Sequence, residues 1–482
     1  MLLLAGLLLS CAPKKTAETG TVPGNGGPDG GSGGDTAADG GSGDSGAGDS
    51  GERDSGGGDG GAERLTGERS LDKSLAIGGV DGSGLGTAIA AGALLSGSGR
   101  QLVLGAPNLG RVEVIGEADG AWSVASSLLG DFDAQPGGAL AVLDADAGGA
   151  LAVGAIHDSR AGADAGAVHL LWAPLPEGEA SLEGATDLIL TGQAEQDFAG
   201  GAVAFGTMLG GETLALAVGA GQADAGATNS GGVYVVGSLD AGGTRALGDA
   251  DARLGWSRGA ALLGTAIAAG DIDGDGISDL ALGGFGDDSL RGAAAVVHGP
   301  LAGDLDLAVD GDAVVYGAEV YDLAGYAVAL LDTDGDGHDE LAVGIPGDDS
   351  VDAERGSVLL FAAPSGTLDA ASATAQLDGL AAYDRAGWSL DGAGDVDGDG
   401  RDELLVGAPA DDAGGAWLVY GPLSGRRVLD PGLDARWSAS GTAISAGDVV
   451  AGVGDLVGDG TPDLAIAAPD AATAWLVDAA VR

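Results

Sequence analysis

A chain of 482 residues with 73 acidic and 20 basic side chains carries a formal charge of −53, a field that repels phosphate backbones and anionic lipid surfaces. Nucleic acid is excluded as a partner on this ground, and the ions such a surface attracts are cations. Hydrophobic residues make up 45 % but aromatics only 4 %, so a core must be assembled from Ala, Val and Leu, each burying little area.

The chain opens MLLLAGLLLSC, with an apolar run from Leu2 to Leu9 that is too short to span a bilayer but suits the apolar part of a secretion signal. Its end, Leu8-Leu9-Ser10-Cys11, resembles the lipobox of bacterial lipoproteins. That resemblance implies a signal peptide over 1–10, cleavage before Cys11 and lipidation of its thiol. Cys11 is the sole cysteine, so no internal disulfide is expected. Several acyl chains, at ~0.8 kcal/mol per buried methylene, would hold the protein on a membrane. Residues 11–64 are rich in Gly, Ser and Asp with almost nothing to bury, and a disordered tether is expected; ~50 such residues span roughly 40 Å. Within it, GGSGG (Gly30–Gly34) and DSGG (Asp54–Gly57) imitate hydrolase nucleophile signatures but lack the strand and helix of a nucleophile elbow.

After Leu65 short apolar runs alternate with Gly- and Asp-rich turns, the punctuation of strands. One phrase recurs: LVLGAP, LAVGAI, LAVGAG, LALGGF, LAVGIP, LLVGAP and LAIAAP, with its Gly or Ala at 105, 154, 219, 283, 344, 407 and 467. Seven copies about sixty residues apart, each with room for about four strands, fit the blades of a β-propeller. The fuller repeat, as in YDLAGYAVALLDTDGDGHDELAVGIP (Tyr321–Pro346) and YDRAGWSLDGAGDVDGDGRDELLVGAP (Tyr383–Pro409), resembles the FG-GAP repeat of integrin α-chain propellers and their bacterial relatives. The resemblance implies an all-β, seven-bladed propeller over 65–482. It also implies a closed ring whose last blade takes its outer strand from Leu65–Val80, since the chain after the last copy holds only one strand-like run, Ala474–Val481. The family's Phe is loosely kept: Phe198 holds the position in one copy, Leu323 and Arg385 in others.

Four acidic loops run in step with the repeat. Asp271, Asp273, Asp275 and Asp279 recur as Asp332, Asp334, Asp336 and Glu340, then as Asp395, Asp397, Asp399 and Glu403. A fourth copy keeps Asp455, Asp459 and Asp463 but has Val457 at the second carboxylate position. Carboxylates on alternate residues of a Gly-containing turn repel one another unless a cation lies among them, and calcium takes six to eight such hard oxygens with less geometric demand than magnesium. Position seven of the loops, held by Ile277, His338, Arg401 and Thr461, varies in chemistry, as suits a ligand supplied by a backbone carbonyl. An EF-hand is excluded: position twelve from Asp271 is Leu282, where that motif needs Glu. The three earlier copies lack the carboxylates, with only Asp144 and Asp146 as a remnant, and no cation is expected there.

No catalytic constellation stands out among His157, His169, His298 and His338, and the chain is read as a non-enzyme. In integrin propellers the cation loops face away from the ligand, so the resemblance makes calcium structural. It places an extracellular protein or glycan at the loops after each GAP strand, such as His157–Gly166, Gly221–Gly231, Gly286–Gly292, Gly347–Gly356 and Ala410–Gly415. The expected protein is a monomeric adhesion or binding module in a bacterial cell envelope, at the outer membrane or cell surface, touching the membrane only through lipidated Cys11. Two alternatives stay open: an enzyme or enzyme-accessory propeller, since related repeats accompany phospholipase and lyase domains, and a purely structural envelope lipoprotein.

Overall fold

Every recurring apolar run becomes the second strand of a sheet, and all of its residues are buried, from Gln101–Ala106 and Ala150–Ala155 to Leu404–Ala408 and Asp463–Ala468. Both faces of the run are apolar because each sheet is sandwiched between two others. Leu102 and Leu104 pack against Ala465 and Ala467 of the seventh sheet, while Val103 on the opposite face packs with Leu151 and Val153 of the second. The computed structural model describes residues 64–97, 99–144, 149–211, 213–409, 414–439 and 445–480. Cys11, the signal over 1–10, the two nucleophile-like fragments, Asp146, Ala410 to Ala413 and all of the tether but Arg64 lie outside the described residues.

The chain forms a seven-bladed β-propeller. Blades 1 to 6 each run inner to outer through four antiparallel strands, as in blade 5: Val328–Leu331, Glu340–Ile345, Ser357–Phe361 and Ala375–Asp378. Blade 7 is completed by the start of the domain. Val449–Gly454, Asp463–Ala468 and Thr473–Val477 are followed by β2 (Leu75–Gly78), antiparallel to the last of them with Leu75 opposite Leu476. The ring is therefore closed by the segment expected to close it.

A fifth strand on six blades was not expected from the sequence. Gly178–Ser181, Gly243–Ala246, Gly303–Asp306, Gly366–Leu368 and Gly425–Val428 each leave their own blade and pair in parallel with the outer strand of the preceding one. For blade 6 this strand is β1 (Gly67–Ser70), which pairs with Ala435–Ser438. All six begin with a glycine at positive φ, between 68° and 92°, a conformation that glycine adopts without steric cost.

The glycine of the recurring phrase has a second role besides marking the repeat. A Cβ on Gly105, Gly154, Gly219, Gly283, Gly344 or Gly407 would lie 1.9–2.1 Å from the carbonyl oxygen of Gly137, Gly200, Gly264, Gly325, Gly387 or Gly447 in the next blade. These partners, the glycines of the FG position, all have φ between 75° and 93°. Backbone thus meets backbone across each of these blade interfaces.

One buried carboxylate gives the core a pH dependence. Asp448, 8 % exposed, has its pKa pushed up to about 7 by burial and then by Asp470, against the pull of Arg385. The folded chain therefore holds a proton that the unfolded chain releases above pH 3.8. The contribution is fully present below that pH and is lost as pH rises through about 7, by roughly 2–4 kcal/mol. Asp448→Asn is expected to raise the melting temperature at pH 8 by several degrees and to leave it unchanged below pH 4. Thermal melts across this range check it, and an equal shift at both ends would contradict the assignment.

Candidate metal centre and the opposite face

Each acidic loop joins the inner strand of a blade to its second strand, and the last carboxylate is at or beside the start of that second strand. Asp279, Glu340 and Asp463 are its first residues, and Glu403 directly precedes it. Leu282, the position that excluded an EF-hand, is a buried strand residue.

The four loops share one hydrogen-bond scheme. The first aspartate takes N–H groups from the following turn: Asp271 Oδ1 accepts from Gly274 at 2.8 Å and Oδ2 from Gly276 at 2.9 Å. Asp332 Oδ2 accepts from Gly337 at 2.8 Å, Asp395 Oδ2 from Gly400 at 3.0 Å and Asp455 Oδ2 from Gly460 at 2.9 Å. The fifth-position aspartates accept from the N–H of Ile277, His338, Arg401 and Thr461 at 2.8–3.2 Å. The last carboxylate reaches back to the start of the loop: Asp279 to Ile272 N–H, Glu340 to Thr333, Glu403 to Val396 and Asp463 to Leu456 and Val457. Glycines at positive φ, among them Gly274, Gly276, Gly335, Gly337, Gly398, Gly400, Gly458 and Gly460, allow the turn that brings these oxygens together.

Carboxylate oxygens converge in three of the four loops, and Asp455, Asp459 and Asp463 of the fourth form no such group. Oxygens of Asp271, Asp273 and Asp279 lie within 4.8 Å of one another, as do those of Asp332, Asp334 and Asp336, and of Asp395, Asp397 and Asp399. In the last two loops a buried carboxylate oxygen, Glu403 Oε1 and Asp463 Oδ1, has no hydrogen-bond partner. Such an oxygen is costly to bury unless a cation or water meets it. Burial, reinforced by Asp397, Asp399 and Asp395, pushes Glu403 up to about 8; burial with Asp478 and Asp459 pushes Asp463 up to about 6. Asp279 and Glu340 are raised for the same first cause. The donor set is all oxygen, with crowding that a hard divalent cation relieves.

The third loop differs in a way the sequence did not signal. Arg64 places Nε 2.5 Å from Asp397 Oδ2 and Nη2 3.0 Å from Asp399 Oδ2, and its guanidinium lies 5.0 Å from the ring centre of Tyr420. Arg401, the position-seven residue, sets Nη1 2.9 Å from Asp399 Oδ2. Two arginines share the charge of this loop, and Arg401 also bridges to the second loop, its Nε donating to Asp334 O at 3.1 Å. In the remnant of blade 2, Asp144 pairs with Arg100.

At the other end of each second strand lie the loops proposed from sequence for a ligand. His157 and His169, carried by one hairpin of blade 2, line a cleft of about 960 Å³ there with Asp158, Arg160 and Glu183. Arg160 Nε contacts both Asp158 oxygens at 2.9 and 3.0 Å and Nη2 reaches Glu183 at 2.9 Å. His169 Nδ1 lies 3.1 Å from Thr186 Oγ1, and burial beside Arg160 holds its pKa below the usual histidine value. The cluster is satisfied internally. In blade 4 the loop Gly286–Gly292 contains a short helical turn, Asp287–Leu290.

Blade 5 exposes something the composition hid. Tyr321, 54 % exposed, and Tyr383, 48 % exposed, flank the loop Gly347–Gly356, which carries the exposed Val351; Tyr383 N–H donates to Ala353 O at 2.8 Å and Gly347 N–H to Asp322 O at 3.0 Å. Both tyrosines have positive φ, 74° and 69°. The turn itself recurs, with Gln196 and Ala260 in the same conformation, and Asp197, Asp322 and Asp384 brace it by accepting N–H groups three residues back at 2.6–2.8 Å. Blades 5 and 6 are set apart by placing an aromatic ring on it.

Residues 324–361 and 386–419 match the model of the FG-GAP repeat. The chain carries FG-GAP repeats. Each matched window runs from an Ala-Gly pair through the inner, second and third strands of one blade, so the second and third acidic loops sit inside FG-GAP units. The chain is similar to integrin alpha pat-2 of Caenorhabditis briggsae, 31 % identical over 226 residues, covering 43 % of this chain and 18 % of that protein. It is similar to integrin alpha-V of Gallus gallus, 28 % identical over 224 residues, covering 44 % and 21 %. It is also similar to phosphatidylinositol-glycan-specific phospholipase D of Bos taurus, 32 % identical over 166 residues, covering 32 % and 19 %. The matches span about a fifth of the length of these relatives.

Proposed function

We propose that this protein is an adhesion or binding module: a propeller stabilised by calcium in its acidic loops, held at a bacterial cell surface through Cys11, that binds an extracellular protein or glycan with the opposite face. The observation that carries the reading is the pair Tyr321 and Tyr383, exposed and flanking the loop that carries Val351 on the face away from the acidic loops. Tyrosine supplies large contact area with a polar tip and recurs at binding hot spots. The likeness to integrin alpha chains supports a protein ligand at the cell surface. Among the described residues no helix is long and apolar enough to cross a membrane.

The test is retention of cell-surface material from the source bacterium and its surroundings on immobilised protein, and on a glycan array, for wild type and Tyr321→Ala/Tyr383→Ala. The double variant is expected to melt within a few degrees of wild type, because both rings are exposed, and to lose the retained partner. Equal retention by both proteins would remove this face as the binding site. A second reading, an accessory propeller of a hydrolase, draws on the phospholipase relative; turnover of a phosphodiester substrate by the purified chain would favour it.

A further inference from the structure

Blade 7 is the one blade whose outer strand lacks a fifth, parallel strand among the described residues. In blades 1 to 6 that strand comes from the excursion between the third and outer strands of the next blade, or from β1. Blade 1 has no such excursion: Arg111–Ala118 and Ala121–Leu129 are joined by a tight turn at Asp119-Gly120. The edge of β2 is left uncovered, and Leu75, Ala76 and Gly78 are exposed, whereas the outer strands of blades 2, 3 and 5 are almost wholly buried.

At the Leu75 end of that edge, where the missing strand would begin, there is a groove of about 840 Å³ to which β2 contributes Leu75, within the ~300–1,000 Å³ typical of ligand clefts. Part of its wall is apolar, formed by Leu75, Trp122 and Val457. Val457 is the residue that breaks the carboxylate pattern of the fourth loop, and its position here, 36 % exposed, gives it an apolar wall to form. The groove also brings two cations and two carboxylates together, Arg69 and Lys73 with Glu68 and Asp478. Arg69 and Lys73 line it, neither has a carboxylate partner among the described residues, and Arg69 Nε is buried without a hydrogen bond. Its carboxylates are engaged, Glu68 with Arg436 Nη1 at 3.2 Å and Asp478 with Ala480 N–H at 2.9 Å.

We propose that β2 is a strand-addition site for an extended segment of a partner protein, which pairs in parallel with β2 as the fifth strand of blade 7, with a glycine opposite Leu75 and acidic side chains toward Arg69 and Lys73. An unpaired edge offers backbone donors and acceptors in register, and flanking side chains choose the guest. The protein holds an example of the guest: Gly303–Asp306, sequence GDLD, pairs in this way with Ala252–Gly255, its glycine opposite the first residue of that strand.

The probe is a capped, fluorescently labelled peptide with the sequence of Leu301–Ala308, titrated into the full chain at moderate salt so that the protein's net charge is screened. Saturable binding of one peptide per chain is expected, with slowed hydrogen exchange at Leu75–Gly78. Lys73→Glu, an exposed change that leaves the fold intact, is expected to weaken binding about fivefold, as is the same peptide with both aspartates replaced by arginine. No saturation at peptide concentrations on the order of 1 mM, or binding that ignores Lys73→Glu and leaves exchange at β2 unchanged, overturns the proposal. Protection of β2 that grows with protein concentration without peptide would make a second copy the occupant and overturn it as well.

Discussion

Stripping divalent cations from the folded protein is expected to lower its melting temperature by on the order of 10 °C. Each acidic loop gathers three or four carboxylates, and the last of them is buried: Asp279, Glu340, Glu403 and Asp463 are at most 3 % exposed. Without a cation the fold must either bury these groups charged or protonate them, which is why Glu403 is pushed up to about 8. A cation at 100 times its dissociation constant stabilises the folded state by ~2.7 kcal/mol per site, so three or four sites supply roughly 8–11 kcal/mol. Calcium readdition should restore the melt and magnesium should restore less of it. Mass spectrometry of the native protein is expected to find three or four calciums per chain. An unchanged melt after chelation, together with no bound calcium, would sink the assignment. The third loop, shared with Arg64 and Arg401, is expected to release its ion first.

Gly344→Ala is expected to destabilise the propeller by roughly 3–5 kcal/mol. The added Cβ would stand 2.1 Å from Gly387 O and 3.0 Å from Gly387 C. No side-chain rotation relieves this, because the obstacle is the main chain of the next blade, and Gly387 itself sits at φ 87°. The natural control is Ala467, which occupies the equivalent place in blade 7 and faces Gly86 of blade 1. Ala467→Gly should change stability by no more than a kcal/mol or so. Chemical denaturation of the two variants makes the comparison, and equal effects would refute the account of the glycine repeat.

The blades, the acidic loops and the closing segment were legible because each leaves a local mark: an apolar run buried on both faces, carboxylates on alternate residues, a glycine in fixed phase. The fifth strands were not. GERS, GEAS, GTRA and GDLD have no apolar alternation to read, and their pairing is set by the edge of another blade; the glycine at positive φ that opens each was the available signal. Tyr321 and Tyr383 leave no comparable mark, since they stand before the FG position and not in the loops after the GAP strand. The meeting of Arg64 with Asp397 depends on the ring's geometry and has no counterpart in sequence spacing.

Because β1 and β2 belong to the two last blades, the first strands of the domain to leave the ribosome must wait, unpaired, until the final ones have been made. Blades 1 to 5 each build four strands from one continuous stretch and take the fifth from the next blade, so they can add one after another as synthesis proceeds. Blade 6 and blade 7 cannot finish until residues 67–78 come back to meet strands centred near 436 and 475. Joining the ends is the step of greatest sequence separation and is placed last on the path. Once made, the join leaves neither end of the ring free to fray by itself: to peel the beginning of the domain away is also to open its end.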